Sequence, residues 1–200
     1  MEVSPETVCA RKVTAETWID LNQNGTFNTN DLVRSVTVDG AGNRLTEEWD
    51  HNTNGSFNSK STSTINLAGT NRQTTVDADG DGDTDTAVSD ITTVFSSGVS
   101  RQVIETRNQD SSLRTKVQQD TAADGLTVTR WTDLTGDGVW DGKTIEARGT
   151  TGAGGLTHTM SEYSGNASKL LSRTVREESA DRQTVTISID ANGDGQADVL

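Results

Sequence analysis

One acidic loop pattern recurs along the chain and restricts the folds that it can adopt. The pattern is D-x-[DN]-x-[DN]-G-x-x-[DN], with threonine at the third position of one copy, and it starts at five aspartates: Asp20, Asp50, Asp77, Asp133 and Asp190. All but Asp50 follow one another at intervals of 57, 56 and 57 residues. Such a fixed period indicates a tandem repeat, whose units stack on their neighbours and do not share one central core.

A second series of loops is offset by about half a period and begins at Asp50. Its later copies can be followed through a basic residue that keeps the same spacing: Lys60, Lys116 and Arg173. In that register Asp50 corresponds to Thr106 and then to Tyr163. Asn54 corresponds to Asp110 and then to Ala167, so the second series has lost its loop pattern in two of three copies.

Glycine turns lie halfway between the acidic loops, for example at Asp124-Gly125 and at 152–155. Roughly eight to ten residues rich in Thr, Val, Arg and Ser separate each turn from the next loop, which is the length of one strand. The pattern predicts an all-β fold made of antiparallel β-meander repeats of about 57 residues. Each repeat would contain two hairpins, with calcium loops at one edge of the sheet and glycine turns at the other.

Apolar and polar residues alternate in the segments between turns, as Val185, Ile187 and Ile189 do with Thr186 and Ser188. This alternation is typical of a sheet that is buried on one side only. Neighbouring repeats would cover the narrow apolar face by stacking, which favours an elongated solenoid, a spiral or a curled sheet. A propeller blade is the alternative architecture, although about three and a half units would not close a ring.

The spacing also predicts the organisation of the chain. Residues 1–17 form an N-terminal lead-in, and residues 18–200 form the tandem β-repeats. The predicted units are approximately 18–75, 76–131, 132–188 and a partial unit, 189–200. Because the pattern stops directly after a motif, we expect the chain to be a segment of a longer protein.

The acidic loops offer the oxygen ligands that calcium prefers. Side-chain oxygens at positions one, three, five and nine, with a carbonyl at seven and a glycine turn at six, can surround most of a calcium ion. An EF-hand is excluded because Val88 and Thr144 occupy position twelve, where that motif needs a bidentate glutamate. The predicted ligands of the aspartate-rich loops are Asp77, Asp79, Asp81, Asp85, Asp133, Thr135, Asp137, Asp141, Asp190, Asn192, Asp194 and Asp198.

The two remaining loops are rich in asparagine and would bind calcium more weakly, because each carries one carboxylate among its ligand positions. Their predicted ligands are Asp20, Asn22, Asn24, Asn28, Asp50, Asn52, Asn54 and Asn58. A plain tight turn explains these two loops equally well, since Asp and Asn bond to their own backbone and glycine accepts positive φ. A plain turn does not require the converging carboxylates of the other three loops.

Composition excludes several classes of function. Hydrophobic residues make up 30% of the chain and aromatic residues 4%, which is little for a single thick core. A net charge of −13 argues against binding to nucleic acid or insertion into an anionic membrane. The single cysteine, Cys9, forms no intrachain disulfide, so we expect Ca²⁺ to stabilise the fold instead.

The loop at Asp133–Asp141, together with the segments Leu113–Lys116 and Thr121–Thr129, resembles the long tandem repeats of very large calcium-binding proteins of alphaproteobacteria. Those proteins are grouped with RTX-type, type I-secreted adhesins. The resemblance implies a bacterial protein that is extracellular or on the cell surface, an inference from repeat type and not from a signal sequence. The chain lacks the RTX nonapeptide run, so no parallel β-roll is expected. Tyr163 and Leu170 flank a turn and also resemble YD repeats, which form hollow β shells.

No enzymatic activity is expected. His51 and His158 lie far apart in the repeat, and Cys9 has no obvious base nearby. The tryptophans Trp18, Trp49 and Trp131 precede loops or equivalent strand ends and are expected to cover them, whereas Trp140 lies inside a loop.

Two functions are compatible with these features. The first is a calcium-stabilised structural or spacer segment of a secreted or cell-surface bacterial protein, supporting adhesion or an extracellular matrix. The alternative is a carbohydrate- or surface-binding module that uses exposed aromatic side chains. The predicted partners are calcium ions, neighbouring repeats or like chains, and cell-surface or matrix polysaccharide.

Overall fold

The computed structural model describes residues 13–19, 25–26, 32–38, 44–50, 58–66, 68–165 and 169–199. Every regular element in these ranges is a β-strand, which confirms the predicted all-β class. Nothing in the described ranges forms a helix of the length and apolar character needed to cross a membrane. The strands are β1 Val13–Ile19, β2 Leu32–Val38, β3 Arg44–Asp50, β4 Ser59–Ile65, β5 Asn71–Asp77, β6 Thr86–Val94, β7 Ser100–Asn108, β8 Leu113–Thr121, β9 Thr127–Asp133, β10 Gly142–Thr150, β11 Leu156–Ser164, β12 Leu170–Glu178 and β13 Val185–Asp190.

The chain divides into two compact units. One comprises Met1–Ser89 with Asn108–Ser111, and the other comprises Asp90–Arg107 with Ser112–Leu200. In the first unit β1 to β5 pair antiparallel in chain order. In the second unit β7 to β13 do the same. The antiparallel pairing is confirmed, while the two-hairpin repeat, the solenoid and the predicted unit boundaries stay predictions.

Two kinds of turn follow the strands, acidic loops and glycine turns. Acidic loops follow Asp77, Asp133 and Asp190, the last residues of β5, β9 and β13. Glycine turns follow β6 and β10, where Gly98 N–H donates to the Phe95 carbonyl and Gly154 N–H donates to the Thr151 carbonyl, each at 2.9 Å. These two turns are 56 residues apart, in agreement with the sequence period.

An irregularity in strand register also recurs with the period. It falls between Thr106 and Arg107 in β7, and between Glu162 and Tyr163 in β11. Both positions correspond to Asp50 and a neighbour in the second series, where the loop pattern has been lost. An extra residue in one strand forms a β-bulge that twists the sheet locally. The register shift is therefore a second feature that repeats with the sequence period.

Apolar side chains remain partly exposed throughout the described residues. No Val, Leu, Ile, Met, Phe or Trp among the described side chains is buried, and the most deeply buried large side chain is Asp133 at 1% exposure. The expected burial of the apolar face is wrong at Val185 and Ile187, which are 48% and 47% exposed. The ladder places Ile187 opposite Arg176, so charged residues share that face.

Paired charges stabilise the sheet where apolar burial is small. Three glutamates each lie between two basic side chains at 2.7 to 3.0 Å: Glu105 with Lys116 and Arg107, Glu146 with Arg148 and His158, and Glu178 with Arg176 and Arg182. Hydrogen bonds from these partners hold the pKa of all three carboxyls below the ordinary value. The glutamates are therefore charged over the whole neutral range.

The lowered pKa values predict how stability depends on pH. A carboxyl with a depressed pKa in the folded state stabilises the fold above its unfolded pKa, about 4.5, and loses that contribution as pH falls through the folded value. The urea midpoint, measured at saturating calcium, should therefore decrease as pH falls below about 4.5. The triple variant Glu105→Gln, Glu146→Gln, Glu178→Gln should show a smaller decrease. An identical pH dependence in both proteins would show that these ion pairs do not stabilise the sheet.

Candidate calcium-binding loops

The three aspartate-rich loops close in the same way. The backbone N–H of the ninth loop residue donates to the carbonyl of the residue before the first aspartate. The distances are 2.9 Å from Asp85 to Val76, 2.7 Å from Asp141 to Thr132 and 2.7 Å from Asp198 to Ile189. Each loop is thus a closed nine-residue ring that starts on the last residue of a strand.

The first aspartate of each loop binds the loop backbone with both carboxylate oxygens. Asp133 Oδ1 accepts from Gly136 N–H at 2.6 Å, and its Oδ2 accepts from Gly138 N–H at 2.9 Å. Asp77 and Asp190 bind the fourth and sixth residues of their loops in the same way, at 2.6 to 3.0 Å. This aspartate therefore fixes the backbone of its loop through hydrogen bonds that do not involve an ion.

The ninth and fifth aspartates also bond within the loop. Oδ2 of the ninth residue accepts the N–H of the second residue at 2.7 Å in all three loops: Asp85 from Ala78, Asp141 from Leu134 and Asp198 from Ala191. Oδ1 of the fifth residue accepts the N–H two residues further on at 2.8 Å: Asp81 from Asp83, Asp137 from Val139 and Asp194 from Gln196. Such bonds also occur in plain Asx turns, so they do not by themselves indicate a metal.

One loop brings three carboxylates together. Asp77, Asp79 and Asp85 each offer an oxygen, and these atoms lie within 4.8 Å of one another. Asp81, which was also predicted as a ligand, is not a member of this set. Because a carboxylate oxygen has two lone pairs and each bonded oxygen uses one for an N–H, the set retains acceptors that a cation can use.

The other two loops carry neutral side chains at the third position. Thr135 Oγ1 lies 3.4 Å from Asp133 Oδ1, and Asn192 Nδ2 donates to Asp198 Oδ1 at 3.3 Å. Threonine and asparagine supply oxygen but no charge, so these loops have fewer carboxylates than the loop at Asp77. Fewer charged ligands lower calcium affinity.

The first aspartate is buried in two loops, at 1% exposure for Asp133 and 2% for Asp190. Burial alone raises the pKa of Asp190, but N–H donors from Gly195, Gly193, Asn192 and Asp194 lower it by more, so the pKa lies below its ordinary value. The Asp190 carboxylate is therefore ionised at neutral pH although water hardly reaches it.

A glycine at the fourth loop position was missed by the sequence reasoning, which considered only the sixth. A Cβ on Gly136 would lie 2.1 Å from the Leu113 carbonyl oxygen, and one on Gly193 would lie 2.1 Å from that of Leu170. Gly80 occupies the same position, whereas the asparagine-rich loops have Gln23 and Thr53 there. The tripeptide G-D-G separates the two loop classes and could have identified this packing requirement.

Several predicted ligands lie outside the described residues: Asp20, Asn22, Asn24, Asn28, Asn52 and Asn54. Asp50 ends β3, and Asn58 precedes β4 and is partly buried.

Aromatic side chains near the loops are partly covered. Trp131, Trp140 and Tyr163 are each intermediate in exposure. Lys116 Nζ lies 5.9 Å from the Trp140 ring centroid, and Lys143 Nζ lies 4.3 Å from that of Tyr163. Each amine lies over one face of its ring, and the carbohydrate-binding alternative stays a prediction.

Replacing the fourth-position glycine should destabilise the loop more than replacing the sixth. Gly136 and Gly138 both have positive φ, +73° and +84°, but only Gly136 has backbone within 4 Å of an added Cβ. Gly138→Ala should cost roughly 1–3 kcal/mol of unfolding free energy from backbone strain. Gly136→Ala should cost clearly more, measured by urea unfolding of both variants. Equal losses would show that the close approach to Leu113 is not a packing constraint.

Comparison with known proteins gives no family for the chain. No family model, no curated protein and no solved structure matches it. The resemblance to RTX-type repeats therefore stays a prediction. What the protein does must be argued from the chemistry of its loops.

Proposed function

We propose that this chain is a calcium-stabilised β-repeat segment with a structural or spacer role outside the cell. The observation that carries the proposal is the convergence of Asp77, Asp79 and Asp85 within 4.8 Å in a loop whose backbone is already fixed. Two further loops repeat the same backbone arrangement at the sequence period. A repeated site with the same ligand types suits repeated stabilisation and offers no distinctive acid–base pair.

Repulsion among the carboxylates supports a cation at these loops. Between Asp77 and Asp85 every second residue is an aspartate, and like charges this close destabilise the closed loop unless a cation lies among them. Three divalent ions would add six positive charges and bring the net charge from −13 to −7. Binding to the folded state alone stabilises that state.

The donor set favours calcium over other common cations. Its members are carboxylate, hydroxyl, amide and carbonyl oxygens, and calcium accepts six to eight such ligands in flexible geometry. Magnesium demands tighter octahedral geometry and loses water reluctantly. Extracellular calcium-binding modules commonly bind at roughly 10⁻⁴ to 10⁻³ M, so such loops would be filled outside a cell and empty in a cytosol with little free calcium.

Two aspartates of one loop provide a matched test of the ligand set. Asp79 and Asp83 are both exposed, and replacing either with asparagine removes one charge, but only Asp79 belongs to the converging set. We expect Asp79→Asn to raise the calcium concentration at half-saturation of this loop roughly tenfold, because it removes a ligand charge. Asp83→Asn should raise it much less.

The amide resonances of Gly80 and Gly82 report this loop directly, because both N–H groups donate to Asp77. Their shifts, followed in ¹H–¹⁵N spectra as calcium is added, give the half-saturation for each variant. If neither resonance responds to millimolar calcium in the unsubstituted protein, the proposed function is wrong. If both variants change the half-saturation equally, the ligand set is wrong.

A further inference from the structure

A glutamate–lysine pair recurs beside the acidic loops. Glu48 Oε1 lies 3.4 Å from Lys60 Nζ, and Glu105 Oε1 lies 2.8 Å from Lys116 Nζ. The glutamates are 57 residues apart and the lysines 56, which is the period of the loops. The third copy retains the charges as Glu162 and Arg173, although Ser172 Oγ donates to Glu162 there at 3.0 Å.

The basic residue of each pair is the direct ladder partner of a loop's first aspartate. The partners are Lys60 with Asp77, Lys116 with Asp133 and Arg173 with Asp190. Residues directly opposite in an antiparallel pair project from the same face, with Cβ atoms about 4.5–5.5 Å apart. Each loop therefore has a basic residue on the neighbouring strand, directly opposite the loop's first aspartate.

In the second unit, the contacts of Lys116 show where this positive charge lies. Lys116 Nζ is held by Glu105 on β7 and lies over the ring of Trp140, the eighth residue of the loop. Both oxygens of Asp133 are bonded to Gly136 and Gly138. The ammonium thus shares Glu105, outside the loop, with Arg107, and it approaches the loop through Trp140.

Balance of charge matters here because a lysine near a divalent cation repels it, and a glutamate on that lysine cancels the repulsion. We propose that the Glu105–Lys116 pair sets the calcium affinity of the loop at Asp133, with Glu105 raising the affinity and Lys116 lowering it. The proposal rests on calcium binding by that loop. The recurrence of the pair at Glu48 and Lys60 extends the same role to the loop at Asp77.

Opposite substitutions should change the affinity in opposite directions. Glu105→Gln leaves Lys116 unbalanced and should raise the calcium concentration at half-saturation roughly tenfold. Lys116→Met should lower it, and Lys116→Arg, which keeps the charge, should leave it near the unsubstituted value. The double variant Glu105→Gln, Lys116→Met should return close to it as well, since the two charges act on the loop through each other.

The control is Glu146→Gln, which removes a glutamate that also has two basic partners, Arg148 and His158, but lies away from the loop. It should not change the half-saturation. The readout is the shift of the Gly136 and Gly138 amide resonances during a calcium titration, which also shows whether each variant folds.

Each outcome separates this inference from the proposed function. If Gly136 and Gly138 do not respond to calcium in the unsubstituted protein, calcium binding at this loop fails and the inference fails with it. If they respond but Glu105→Gln and Lys116→Met leave the half-saturation unchanged, only the inference is overturned. If both variants raise it, loss of the ion pair acts through stability and the electrostatic role is wrong.

Discussion

The bond between the first loop aspartate and two backbone N–H groups is the interaction on which the rest of the structure depends. Asp133 and Asp190 make it almost out of contact with water, and Asp77 makes it in the loop with the most carboxylates. It sets the path of the backbone, so the third and ninth side chains follow from it. It also needs glycine at the fourth position, where the loop passes against a neighbouring strand. The cost of this arrangement is a concentration of negative charge within each acidic loop.

Little else in the described residues would offset that repulsion. The apolar side chains are partly exposed, so burial contributes less than in a domain with a closed core. Backbone pairing remains, together with the glutamates that lie between two basic side chains, and charge-assisted hydrogen bonds at partly exposed sites contribute modestly. A cation at each acidic loop would remove the repulsion and join two strand ends at once. Calcium is in this account a component of the fold, and the neighbouring glutamate–lysine pairs adjust how tightly it binds.

The sequence predicted the strand class, the antiparallel pairing and the three closed loops, because β-branched alternation and Asx-Gly turns are local signals. It predicted burial of Val185 and Ile187 wrongly, since alternation shows which residues share a face but not whether anything covers that face. Asp81 stays a predicted ligand outside the converging set, and the bond that its side chain accepts from Asp83 N–H depends on geometry that spacing does not reveal. Lys116 was found by its period alone. Its place opposite Asp133 required the strand register, which joins residues 17 positions apart.

Calcium-dependent folding is the central claim, and circular dichroism tests it most directly. With excess chelator at low ionic strength, the carboxylates of the loops repel without screening and burial is too small to offset chain entropy. The account predicts a largely coil-like far-ultraviolet spectrum under those conditions. Adding calcium to roughly 10⁻³ M should restore the β-sheet signal and a cooperative melting transition, and magnesium should do so poorly. A chelated protein with the same β-sheet spectrum and the same melting temperature as the calcium-loaded protein would contradict the account.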